Sequence, residues 1–173
     1  MTTPETTDMQ IRQFVESDWS QLWPVIAEVV RAQETFPYDP AMTEEQGRQA
    51  WIEAPPGLTV VAVENGWVLG TAKMSTNRPG PGSHVSTASF MVAAGARGRG
   101  VGTALGRYAV AWARARGYAG MQFNAVVETN TAAVHVYRQL GFQVLGTVPG
   151  AFRHPTEGRV GLHLMYCDFG AEG

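Results

Sequence analysis

The stretch "FMVAAGARGRGVGTALGRYAVAWARARG", residues 90–117, decides the fold. It begins as an apolar strand and turns through Gly98, Gly100 and Gly102. It continues as a helix over 101–116, with Leu105, Tyr108, Ala109 and Trp112 at helical spacing. Gly117, after a basic last turn, stops that helix. A strand that ends in glycines and opens a helix aims successive backbone N–H groups and the positive end of the helix dipole at one point, which makes an anion site. Two phosphate loops are excluded as templates. A Walker A loop needs Gly-Lys-Ser/Thr, and the only lysine is Lys73; the dinucleotide fingerprint needs G-x-G-x-x-G, and here Gly102 is followed by Thr103 and Ala104. What remains is R-x-x-G-x-G, carried by Arg97, Gly100 and Gly102. A tight turn with glycines for positive φ would also explain so short a pattern.

Outward from this unit the chain reads β-α-α-β-β-β-α-β-α-β-β. The run "MQIRQFVE" is a first strand, and Trp19, Leu22, Trp23, Ile26, Val29 and Val30 follow at helical spacing, with Ser17 or Asp18 as cap. The prolines of "ETFPYDPAM" break that helix, and a short one restarts from Thr43. Residues 57–75 are two β runs joined at Asn65-Gly66, a strong hairpin signal. A strand over 84–92 precedes the glycine loop. Beyond the helix come a buried strand over 120–127, a helix capped by Thr129 or Asn130, and two closing strands. The strand–loop–helix–strand unit implies a right-handed crossover between parallel neighbours, while the hairpin is antiparallel, so the sheet is mixed.

Composition sets the outer bounds. With 173 residues, 45% hydrophobic and 16% charged, the chain fits one domain over 1–173, with residues 1–8 expected as a flexible tail. A net charge of −2 argues against nucleic acid as partner. No apolar run approaches the roughly 18–20 residues needed to span a bilayer, and the N-terminus has no secretory pattern, so a soluble, cytoplasmic protein without a membrane partner is expected. The lone Cys167, in "LHLMYCDF", reads as a buried structural thiol. His135, His163 and Glu44-Glu45 show no metal-ligand spacing, and no metal is expected.

The loop acquires a specific meaning from a second motif. "NTAAVHVYRQLGF" places Asn130, Ala133, Tyr137, Gly141 and Phe142 as N-x-x-A-x-x-x-Y-x-x-x-G-F. With R-x-x-G-x-G ahead of it, the chain resembles the GCN5-related N-acetyltransferase (GNAT) superfamily, well over about 84–168 and by element order before that. The resemblance implies an α/β fold with a mixed sheet of about seven strands and about four helices. It also implies a splay between strands 4 and 5, expected near Met91 and Val92. Acetyl-CoA is the implied cofactor. Its pyrophosphate would be held by amides of Gly98, Gly100, Val101, Gly102 and Thr103 with Arg97 and Arg99, and Asn130, Ala133, Tyr137 and Arg138 would line the same ligand. A backbone N–H near Met91 or Val92 would hold the thioester carbonyl, and Tyr137 would act as acid toward the CoA sulfur. By periodicity alone, Tyr137 belongs to a packed stripe with Ala133, Val136 and Leu140.

The base and the acceptor contacts are less determined. Relatives often carry Glu or His on the strand before the loop, where this chain has Ser86 and Ala88, neither able to act alone. His84, on the same strand face, Glu128, just past the next strand, and a water chain fed by both or by no single residue are the alternatives. Asn124 interrupts an apolar strand, and a buried amide needs partners. An acceptor would supply one, and so would the adjacent sheet backbone. The run 117–142 followed by "VLGTVPGAF" is also similar to proline-analogue N-acetyltransferases, acting on cyclic imino acids such as L-azetidine-2-carboxylate. That similarity implies an acceptor contact for Asn124. Phe36 and Tyr38 are expected to wall the acceptor pocket, Ser86 and Glu128 to touch the acceptor, and Arg153 and His154 to cover the opposite rim.

The function expected is direct acetyl transfer to the amine of a small molecule, such as an amino or imino acid, in detoxification. Direct transfer is preferred because no cysteine sits where an acetyl-enzyme would need one. A protein or peptide acetyltransferase, or a non-catalytic acyl-CoA-binding module, are the alternatives. A homodimer is common in the superfamily.

Overall fold

The computed structural model describes residues 8–170. The expected tail over 1–8 lies, Asp8 apart, outside the described residues. The elements follow the expected order: β1 (Gln10–Gln13), α1 (Trp19–Ala32), α2 (Glu44–Trp51), β2 (Leu58–Glu64), β3 (Trp67–Thr76), β4 (Val85–Val92), α3 (Val101–Ala115), β5 (Gly120–Val127), α4 (Thr131–Gln139), β6 (Gln143–His154) and β7 (Gly158–Asp168). The seven strands form one mixed sheet in the order β1-β2-β3-β4-β5-β7-β6, in which only β4 and β5 run parallel. No helix among the described residues is long and apolar enough to cross a membrane.

Two cores sandwich the sheet. Leu22, Val25, Ile26, Val29 and Val30 of α1 and Trp51 of α2 pack against Val61, Val68 and Met91 on one face. Val101, Leu105, Ala109, Trp112 and Ala113 of α3, with Tyr137 of α4 packed alongside, cover Val60, Ala72, Met74 and Phe123 on the other. Alternation along the strands sorts side chains between the faces, because successive residues point to opposite sides. The lone lysine serves this architecture: Lys73 Nζ donates to the Ala50 carbonyl at the end of α2 (2.7 Å). Asn65 and Gly66, both at positive φ (51° and 78°), close the β2–β3 hairpin.

One cap expectation is corrected and another is narrowed to one of its two candidates. Asp18 stands at the N-cap of α1 but makes no side-chain cap bond. Its carboxylate is instead clamped by both terminal nitrogens of Arg12 (2.7 and 2.8 Å), which holds it below the usual carboxylate range. Asn130, not Thr129, caps α4, its Oδ1 accepting from Ala133 N–H.

The splay begins earlier than expected. β4 and β5 pair only at Val85–Gly120 and Ser86–Met121, so the strands part after Ser86 rather than near Met91. Ser86 Oγ, fully buried, donates to the Gly120 carbonyl at 2.9 Å and pins the last shared point. Leaving that acceptor unpaired would cost about 1–3 kcal/mol. Beyond it, the β5–β7 register slips between Phe123 and Val126, and such an irregularity bends a strand away from its neighbour. Gly120 is required here, since a Cβ would stand 2.8 Å from the backbone carbonyl oxygen of Cys167 and also press on the Tyr166 ring.

Candidate active site

A cavity of about 690 Å³ fills the space where β4 and β5 part. Its lining comes from both faces of the sheet: the glycine loop, α3 and α4 on one side, the α1–α2 connection on the other. The opening therefore joins two half-sites through the sheet.

The α3 half is an anion cradle. Gly98 and Gly100 take positive φ (75° and 80°), and Gly100 stands as the N-cap of α3 in the left-handed region, with no side-chain cap bond. The first N–H groups of a helix have no intrahelical acceptors, so the backbone of Val101, Gly102 and Thr103 faces the cavity with the positive dipole end behind it. Gly102 does not need glycine for its conformation, and a Cβ there would meet only Val92 Cγ2, at 3.9 Å. The space beside it is otherwise left clear. Arg97 lines the cavity beside the loop. Arg99 does not: its guanidinium pairs with Glu64, because the residue between two glycines of the turn projects away from the amides that face inward. Asn130 and Ala133 line this half. Arg138 does not, since one residue past Tyr137 it is rotated about 100° around the helix away from the cavity, and it borders a separate depression with Glu128 and His135.

Tyr137 sits where the halves meet. Its ring packs on Phe123 (centroids 4.6 Å) and Phe90 (5.9 Å), and Phe123 in turn stacks on Phe142 (4.1 Å). The hydroxyl has no hydrogen-bond partner among the described residues, and burial pushes its pKa upward. The packed-stripe reading and the cavity-lining reading therefore both describe this side chain. Backbone direction discriminates along β4. Ala119 N–H donates to the His84 carbonyl (2.8 Å) and Ala93 N–H to Leu69 of β3 (2.9 Å). By alternation, even-numbered residues of β4 turn their backbone toward β5 and odd-numbered ones toward β3. The N–H groups of Phe90 and Val92 thus face the opening. That of Met91 faces β3, which removes Met91 as the carbonyl-binding residue and leaves Val92.

The other half is walled by Phe36 and Tyr38, whose rings lie 5.5 Å apart, with Phe36 edge-on to buried Trp51 at 5.8 Å. Asn124 lines it too, but as an exposed residue rather than a buried one. Its amide donates to Asn77 Oδ1 (2.8 Å) and accepts from Gln122 Nε2 (2.9 Å), so its present partners are side chains and not the sheet backbone.

Three expectations for base or substrate contacts are overturned, one by a strand face and two by position beyond a strand end. Ser86 points into the opposite core and is spent on Gly120. His84 is exposed at the far end of β4, outside the cavity. Glu128 lies beyond the end of β5, where Oε1 accepts from Gly161 N–H (2.6 Å) and holds β7. Arg153 also lies outside the cavity, whereas His154 lines it. Residues that the sequence did not single out here are Glu34, Thr35, Thr87, Ser89 and the buried Thr129 hydroxyl, which has no partner. Period 2 applied from Met91, once its core face is known, would have found Thr87 and Ser89. Cys167 is buried against α4 with its thiol pKa raised by burial, and it does not line the cavity.

The sequence model of the acetyltransferase (GNAT) family matches residues 23–142. A solved GCN5-related N-acetyltransferase from Kribbella flavida is 53% identical, covering 96% of this chain and 99% of its own, with a TM-score of 0.90. Streptothricin acetyltransferase of Streptomyces lavendulae is 35% identical over 112 residues, 64% of this chain and 57% of its own length. Protein SPT10 of Saccharomyces cerevisiae is 31% identical over 83 residues, 48% of this chain and 13% of its own length. The chain spans little over half of the first of these two relatives and a small part of the second. The chain belongs to the acetyltransferase (GNAT) family, enzymes that draw their acetyl group from acetyl-CoA.

Proposed function

We propose that this enzyme moves the acetyl group of acetyl-CoA directly to the amine of a small amino or imino acid, a proline analogue such as L-azetidine-2-carboxylate being the model acceptor. The observation that carries the reading is the opening between β4 and β5, which puts an anion cradle and a walled aromatic slot at the two ends of one cavity. The likeness to a streptothricin acetyltransferase supports a small-molecule acceptor.

When bound, acetyl-CoA supplies an activated thioester. Arg97 and the amides of Gly98, Gly100, Val101, Gly102 and Thr103 would hold its diphosphate, with Asn130 and Ala133 alongside. The Val92 N–H, turned into the opening, would bind a carbonyl oxygen as charge develops on it. Tyr137 stays protonated at neutral pH, because burial disfavours its phenolate, and so keeps a proton to donate to a departing sulfur. The same desolvation raises the basicity of a thiolate placed beside it, which keeps the transfer matched. Deprotonation of the amine falls to water at the exposed mouth, where Glu34 is the one carboxylate lining the cavity among the described residues.

The test is free-thiol release from acetyl-CoA across amino acids, azetidine-2-carboxylate, polyamines, aminoglycosides and short peptides. Turnover concentrated on amino or imino acids is the expected result. Turnover on peptides alone would replace this acceptor class, and acetyl-CoA binding without thiol release on any amine would leave a binding module.

A further inference from the structure

We infer that His154 selects the acceptor, its Nε2–H donating to a carboxylate or carbonyl oxygen that the acceptor carries close to its amine. The inference rests on the acetyl-transfer reading above. His154 ends β6, and the chain turns through Pro155, Thr156 and Glu157 before β7 starts at Gly158, where φ is 74°. Within that turn Nδ1 of His154 accepts from the backbone N–H of Thr156 (3.2 Å) and of Glu157 (3.2 Å), and stands 3.3 Å from Thr156 Oγ1. A backbone N–H can only donate, so Nδ1 presents its lone pair and the ring proton sits on Nε2. The hairpin thereby fixes both the tautomer and the orientation of the ring. Nε2 is on the far side of the ring from these bonds and has no partner among the described residues, while the ring lines the cavity and is half-buried.

The rest of this half-site sharpens the assignment. Phe36 and Pro37 offer no side-chain donor. The Asn124 amide already pairs with Asn77 and Gln122. Arg97 stands by the glycine loop, at the other end of the cavity. The hydroxyls of Thr35, Tyr38, Thr87, Ser89 and Thr129 also line the cavity, but each rotates and can give or accept a hydrogen bond, whereas the Nε2–H of His154 is held in one direction by three contacts and can only donate; Glu34, which lines the same cavity, suits the acceptor's nitrogen. Because the lone pair at Nδ1 is spent, His154 is a recognition residue and not the base.

The test uses the full-length enzyme with matched pairs of amino or imino acids and their decarboxylated amines, such as azetidine-2-carboxylate and azetidine. For His154→Ala the KM of the carboxylate-bearing member should rise about 10- to 100-fold, the loss of one charge-assisted hydrogen bond. The KM values for the decarboxylated member and for acetyl-CoA should stay unchanged. His154→Gln, which restores an N–H at similar reach, should recover most of the loss. Equal losses on both members of every pair, with a lowered Tm, would reduce His154 to a turn cap and overturn the inference; so would unchanged kinetics, or a wild-type preference for the decarboxylated amines. No wild-type turnover of any acceptor would overturn the acetyl-transfer reading and this inference with it, whereas failure confined to His154→Ala leaves that reading standing.

Discussion

On the α3 side of the opening the groups that face the cavity are mostly main chain: amides of a glycine turn, the first turn of a helix, and the Val92 N–H. On the α1–α2 side they are side chains from four separate segments, namely the loop over Phe36 and Tyr38, Thr87 and Ser89 of β4, Asn124 of β5 and His154 of the last hairpin. A main-chain cradle fixes its guest through geometry, and any added side chain obstructs it. A side-chain slot can change its guest by substitution while the sheet beneath stays as it is. On the proposed function, the difference would separate a half-site committed to one donor from a half-site open to many acceptors.

That contrast can be broken at three points. The largest effect is expected where the halves meet: Tyr137→Phe should lower kcat about 10²- to 10³-fold with acetyl-CoA affinity preserved. Steady-state kinetics alongside calorimetry decide it, and a change within twofold would return Tyr137 to packing alone. Next comes the cradle. Gly102→Val should weaken acetyl-CoA binding about 100-fold by occupying the ligand's space, as when one or two charge-assisted bonds are lost. Its Tm should hold or rise slightly, since Val is the better helix former and its Cβ meets only Val92. A fall in Tm with affinity intact would mean that the glycine serves the fold. The smallest effect belongs to the slot, where Asn124→Ala should raise the acceptor's KM about 3- to 10-fold, the scale of one neutral hydrogen bond. An equal rise in the KM of acetyl-CoA would erase the distinction between the halves.

The same contrast explains what could be read without coordinates. Order and type of the elements were legible because the hydrophobic period and the punctuation at Asn65-Gly66, Gly117 and Asn130 agree with the tertiary packing. The glycine turn was legible because its residues are contiguous and Gly98 and Gly100 take positive φ. Arg99 and Arg138 were misassigned because spacing does not say which way a side chain leaves a turn or a helix; Glu64 claims the first, and the far face of α4 holds the second. Ser86 and Met91 failed for one reason: strand parity depends on which partner lies on each side, and that is a property of the whole sheet. Glu128 lies two residues before Asn130 in the chain but turns to the Gly161 backbone, a contact 33 residues away. The acceptor slot, assembled from distant segments, left only its aromatic loop, Asn124 and the His154 rim visible.

The early parting of β4 and β5 has a consequence for how the molecule lives among its copies. Unpaired strand edges on a protein's outside invite a neighbour's strand and lead toward aggregation. Here a length of unpaired backbone beyond Ser86 is kept inside the sheet, between the two helical layers, with the aromatic rings of Phe90 and Phe123 standing across it. Only something slender can reach it. The fold thus keeps its reactive edge sheltered from other proteins and available to a thread-like small molecule.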